Sequence, residues 1–129
     1  MPASRPLTLD DTLSFKSVTD ARISPDGGTV AFVVGKPYRI DTIFAKSAVW
    51  SVPTMGGDSS RLTFGPRTDD CPRWSPDGAT LAFMSDRERE GQRQVHLLPT
   101  AGGEALQLTH VKGSIAAARG HSPMEWSPE

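Results

Sequence analysis

The residues that could do chemistry in this 129-residue sequence are a few serines, three histidines and one cysteine, and their spacing removes most of the options. A serine nucleophile of the α/β-hydrolase kind needs Gly-x-Ser-x-Gly on a sharp strand-to-helix turn that exposes its hydroxyl beside an oxyanion hole. Neither Gly57-Asp58-Ser59-Ser60-Arg61 nor Gly113-Ser114-Ile115 supplies that run. His96, His110 and His121 stand at no metal-ligand spacing, and Cys71 has no second cysteine to join it. His96 falls on a strand position held by Trp50 in a matching block, so cross-strand packing is its expected role. His110 is expected as a solvated loop residue, and Cys71, just before a strand, as a small buried residue rather than a reactive thiol. Gly56-Gly57 and Gly102-Gly103 precede no helix or Lys-Ser/Thr, so they read as turns and not as phosphate loops. The sequence therefore predicts no catalytic, cofactor-binding or metal-ligating residue.

What would position any site is a repeat. Ile23-Ser24-Pro25-Asp26-Gly27, Trp74-Ser75-Pro76-Asp77-Gly78 and Trp126-Ser127-Pro128-Glu129 follow one another at steps of 51 and 52 residues. A fixed period of this size signals a repeat architecture. An apolar segment follows each turn, Thr29-Val30-Ala31-Phe32-Val33 and then Thr80-Leu81-Ala82-Phe83-Met84. Val49 to Gly57 next matches Val95 to Gly103, and Arg61-Leu62-Thr63 matches Gln107-Leu108-Thr109, both at an offset of 46. The five-residue difference lies between residues 35 and 48, so insertion is confined to a connection.

The breaks between segments have physical causes. In Ser-Pro-Asp-Gly, proline presets φ, aspartate can accept from backbone N–H groups ahead of it, and glycine supplies a positive φ. Each Gly-Gly pair suits a hairpin between the third and fourth segments. Short β-branched or aromatic segments bounded by Gly, Pro, Asp and Ser read as strands. Four strands per repeat of this length are the signature of a propeller blade. The fold class expected is all-β: an incomplete β-propeller of two four-stranded blades plus the first strand of a third, preceded by a short helix. The boundaries are an N-terminal helical segment 1–17 and a partial propeller 18–129. Within it, blade one covers about 18–66, blade two about 67–112, and the start of blade three about 113–129. Ser24, Pro25, Asp26, Gly27, Ser75, Pro76, Asp77 and Gly78 are the expected structural turn residues, and Trp74 and Trp126 the expected inter-blade aromatics.

Around this frame, Thr8, Asp10 and Asp11 give a partial capping signal with acid in the first turn, so residues 9–16 are read as a helix covering the propeller's flank. The alternating run Asp86-Arg87-Glu88-Arg89-Glu90 reads as a solvated loop, ordered at its start where Ser85-Asp86-Arg87 can fix a turn. The insert around Tyr38-Arg39-Ile40-Asp41 is the local candidate for a contact surface, since repeat proteins gather insertions on a binding face.

Composition sets limits. Fourteen basic against fifteen acidic residues give a net charge of −1 with no basic run, which argues against nucleic acid as a partner. No stretch reaches membrane-span length. Met1-Pro2-Ala3-Ser4-Arg5-Pro6 leads into no apolar core, so no secretory signal is read, and one cysteine suits a reducing cytoplasm.

The pattern Trp-Ser-Pro-Asp-Gly, Leu-Ala-Phe-x-Ser-Asp-Arg, Gly-Gly-Glu and Leu-Thr resembles the propeller repeats of two groups, the prolyl oligopeptidase class of serine peptidases and the TolB-type proteins. The opening, Leu7 to Leu13 and then Val18 to Gly27, resembles the start of acylaminoacyl-peptidase-like enzymes. That resemblance implies a C-terminal α/β-hydrolase domain bearing a Ser-Asp-His triad, peptides as substrates, and a propeller that gates the active site. None of those triad residues maps onto this sequence. The third repeat stops at Glu129, where the pattern wants Asp and then Gly, so the chain is expected to be a front end that is inert alone. Two blades cannot close a ring, and their open faces and edges are expected to self-associate.

Overall fold

The computed structural model describes residues 4–35, 46–116 and 122–128. The Tyr38–Asp41 insert, His121 and Glu129 lie outside the described residues. Blade one is a sheet of β1 (Ser17–Ile23), β2 (Thr29–Gly35), β3 (Ser47–Pro53) and β4 (Ser60–Arg61). Blade two repeats it with β5 (Asp69–Trp74), β6 (Thr80–Ser85), β7 (Gln94–Pro99) and β8 (Leu106–Gln107). Both are antiparallel meanders in sequential order. The all-β expectation of two four-stranded blades and one short helix is met, and the two sheets do not close into a ring.

The core explains why the apolar segments alternate in one blade and run on in the other. Ala31 and Val49 of blade one meet Leu81 and Phe83 of blade two in a buried cluster, with Trp74, Leu62 and Leu98 packed around it. Ala82, Met84 and Val95 face the other way, against Cys71, Leu97, Ile115, Met124 and Trp126. Strand β6 is thus covered on both faces, and every residue from Leu81 to Ser85 is buried. Strand β2 is covered on one face, so only Ala31 and Val33 are buried there. Residues 122–128 form no ladder, yet they lie on blade two much as blade two lies on blade one.

The Ser-Pro-Asp-Gly turns are near-superimposable hydrogen-bond units. Ser24 Oγ donates to Asp26 Oδ1 at 2.6 Å, which also accepts from Gly28 N at 2.9 Å, while Thr29 N donates to Ser24 Oγ at 3.0 Å. In blade two the matching distances are 2.6, 3.0 and 3.0 Å, through Ser75, Asp77, Ala79 and Thr80. Gly27 and Gly78 take φ of 74° and 73°. At Gly78 an added Cβ would lie 3.6 Å from Pro25 Cδ, an ordinary contact. Gly78→Ala is therefore expected to cost about 1–2 kcal/mol through backbone conformation alone, read as a lower urea midpoint. Gly27→Ala, whose Cβ meets nothing within 4 Å, should match it.

Helix α1 (Leu9–Ser14) carries a full capping box, with Thr8 and Asp11 bonded reciprocally and Arg5 clamping the Asp11 carboxylate at 2.6 and 2.7 Å. Two readings are corrected here. The helix ends two residues early, because Phe15 turns extended and its N–H closes on the Thr12 carbonyl. Nor does it cover the flank: no described strand packs against it, and Leu7, Leu9 and Phe15 stay exposed.

Candidate functional site

The repeated tryptophans mark the seam between blades. Trp74 Nε1 donates to the Arg22 carbonyl at 2.9 Å, and Trp126 Nε1 donates to the Arg73 carbonyl at the same distance. Each indole therefore packs on the preceding unit and also ties to its first strand, one residue ahead of the equivalent aromatic position. Ile23 holds that position in blade one and is exposed.

Beside this tie lies an ion pair that the turn motif did not point to. Arg73 Nη1 reaches both carboxylate oxygens of Asp20 at 3.1 and 3.0 Å, and its Nε donates to Ser122 Oγ at 3.2 Å. Arg73 is 8% exposed. Asp20 also holds Arg22 at 2.9 Å. Asp20 sits where the β1–β2 register breaks, at φ 50°, and Cys71 sits at the matching break in blade two, at φ 53°. In this left-handed conformation a short polar residue such as aspartate is favoured. A signal was available: an arginine stands one residue before both Ile23 and Trp74, with Asp20 and Cys71 two residues before those arginines. The repeat thus extends three residues upstream of the aromatic position in both blades.

The other singled-out residues fall as follows. His96 is buried opposite Phe83 across β6 and β7, stacked on it at 5.6 Å, with Nδ1 3.2 Å from the Gln94 carbonyl. Burial lowers its pKa, so the packed ring is held neutral. His110 is exposed in a loop. Cys71 is half-buried, and burial first, then the Asp20 charge, raises its thiol pKa. The charged run divides. Ser85 and Asp86 are buried, Asp86 accepts from Thr68 N and Gly91 N, and Arg87 pairs with fully buried Asp69 at 3.2 Å, whereas Glu88 to Glu90 are exposed. The Leu-Thr block closes each blade, since Thr63 and Thr109 hydroxyls accept from Val49 N and Val95 N at 2.9 Å.

Asp26 and Asp77 titrate below the ordinary carboxylate range, chiefly because the Ser24 and Ser75 hydroxyls bond the charged form and then because Gly28 N and Ala79 N do. A lowered folded pKa means that the turn's contribution is present above the ordinary range and lost as pH falls through the lowered value. Ser75→Ala should move the Asp77 midpoint up and leave Asp26 where it is, as read by carboxyl-carbon NMR titration.

Among the described residues no serine or cysteine is hydrogen-bonded to a histidine, and no cluster of three or more metal-ligating side chains occurs. No described helix is long and apolar enough to cross a membrane. The arrangement builds an inter-blade seam.

No family model matches the chain. A curated relative, the uncharacterized peptidase YuxL of Bacillus subtilis, is 37% identical over 123 residues, which is 95% of this chain and 18% of that protein. Further curated relatives at 32–38% identity are also named peptidases or proteases. The chain spans less than a fifth of the length of the curated relatives it matches, 18% at most. In fold it resembles the Pyrococcus horikoshii acylaminoacyl peptidase, with a TM-score of 0.60 at 21% identity over 78% of this chain and 15% of that one. It also resembles the structure assigned to TolB from Agrobacterium tumefaciens, at 0.55 and 26% over 72% of this chain and 31% of that one. Shared sequence with peptidases and shared architecture with propellers converge: this chain is a stretch of β-propeller similar in sequence to curated peptidases.

Proposed function

We propose that the chain serves as the first blades of the propeller in a serine peptidase of the prolyl oligopeptidase and acylaminoacyl-peptidase type. The observation that carries this is the alignment of 95% of the chain with a peptidase at 37% identity. In this reading the catalytic serine, aspartate and histidine stand in an α/β-hydrolase domain that the chain does not include. The blades help to enclose that domain and admit short or acylated peptides, while the turn residues and tryptophans listed by the repeat are structural. A single cysteine supports a reducing, cytoplasmic setting. The native product, captured from source cells with an antibody raised to residues 1–129, is expected to release p-nitroaniline from an acetyl-alanine anilide and to lose that activity to a serine-directed inhibitor. The 129-residue chain should release none.

A second reading, a TolB-like interaction propeller, is favoured by the likeness to the Agrobacterium tumefaciens structure. A captured product that lacks any serine-hydrolase activity would select it. In either case the chain alone should self-associate, since Val18, Ile23, Phe64 and Leu106 are more than half exposed. Sedimentation of a strict monomer at micromolar concentration would contradict that.

A further inference from the structure

At the end of blade one where β1 begins, β2 ends and β3 begins, opposite its Ser-Pro-Asp-Gly turn, the connector to blade two folds over a cleft of about 290 Å³. Its floor is apolar, formed by Val34, Ala48 and the ring of Trp50, and its rim carries Lys16, Lys46, Arg61 and Arg67. Among the described residues no carboxylate lines it. That is unusual in a chain of net charge −1. Elsewhere Arg5, Arg22, Arg73, Arg87 and Arg93 each hold an aspartate. Among the described residues none of the four cleft cations has an ion-pair partner. Asp69, whose carboxylate lies behind Gly65, is paired through Oδ1 with Arg87, while its Oδ2 is buried without a hydrogen bond.

One of the lining arginines is also incompletely satisfied. Arg67 Nη1 is buried and makes no hydrogen bond. A buried guanidinium N–H without an acceptor is costly to leave so, and the planar fork of arginine suits carboxylate and phosphate oxygens. One sign of charge along a low-dielectric wall also focuses the field on an approaching anion. An apolar floor with a few convergent polar groups is the usual make-up of a small-molecule site.

We propose that this cleft binds a small organic anion, a carboxylate or phosphate carried on an apolar group. The anionic head meets Arg67 and the lysines, and the apolar part lies against Trp50. The site is separate from the blade seam and does not depend on the peptidase reading.

Isothermal titration of the full chain with phenyl phosphate and with phenylacetate tests this, and the tighter of the two identifies the head group. The expected result is saturable one-to-one binding that weakens with added salt. Arg67→Gln and Lys46→Gln should each weaken it about tenfold, the loss of one charge-assisted contact. Lys46 is exposed, so its variant keeps the test valid if Arg67→Gln fails to fold. No saturable binding of either probe, or binding unchanged in Lys46→Gln and in any folded Arg67→Gln, would overturn the proposal. Inorganic phosphate should bind more weakly than phenyl phosphate; equal affinity would overturn the role given to the Trp50 floor.

Discussion

Phe83→Ala is expected to remove about 3–5 kcal/mol of stability, the usual loss for a large aromatic truncated in a core. For a domain near the lower end of the ordinary 5–15 kcal/mol range, that leaves little folded protein at 25 °C. Phe83 is fully buried in the cluster shared by the two blades, with Ala31 and Val49 on one side and Leu81 beside it. It also stacks on His96 and carries the Arg87 guanidinium 5.1 Å over its ring. Alanine would therefore open a cavity between the sheets and leave a buried imidazole and a paired arginine without their packing surface. Urea titration followed by tryptophan fluorescence measures the loss, with Phe83→Leu as a milder control. A change below about 1 kcal/mol would mean that the blades do not share this core.

The second large effect lies at the seam. Asp20→Asn keeps a residue that tolerates the left-handed backbone at φ 50° but removes the charge facing Arg73. Breaking a buried pair from one side typically costs 3–5 kcal/mol. Here Arg73 is almost fully buried whereas the Asp20 side chain is 23% exposed, so about 2–3 kcal/mol is expected. Combining Arg73→Gln with Asp20→Asn should cost less than the sum of the two single losses, because the double variant leaves no buried charge unpaired and the other partner of Asp20, Arg22, is exposed. A double-mutant cycle by urea denaturation reads this coupling directly. Strict additivity of the two losses would show that the pair contributes nothing to holding blade two on blade one.

These two results separate what the repeat disclosed from what it concealed. Strand identity was legible because turn chemistry is local: proline, aspartate and glycine at fixed offsets dictate each reversal, and the hydrogen bonds of Ser24–Thr29 and Ser75–Thr80 carry it out. The packing of Trp74 between blades was legible for the same reason, since its position recurs. Its hydrogen bond to the Arg22 carbonyl was not, because the partner lies 52 residues back and is a backbone atom. Asp20 with Arg73 is likewise a contact across 53 residues, and no spacing within one repeat announces it. The helix itself was legible from its cap, since a capping box and an Arg5–Asp11 clamp secure its start; its place on the flank was not, and no described strand packs against it. The order expected at the start of the charged run 86–90 is present, but its partner is not local: the Asp69 carboxylate, contributed by β5, draws Arg87 inward.

Among the described residues no serine or cysteine is hydrogen-bonded to a histidine. The role proposed for the chain rests on its likeness to peptidases. The most direct test is labelling of source-cell lysate with a fluorophosphonate probe, which reacts with activated serines, followed by capture with an antibody to residues 1–129. A labelled polypeptide several times larger than 13.9 kDa is the predicted result, with the recombinant 129-residue chain unlabelled. A captured product that takes up no probe, whatever its size, would contradict the assignment of these blades to a serine peptidase.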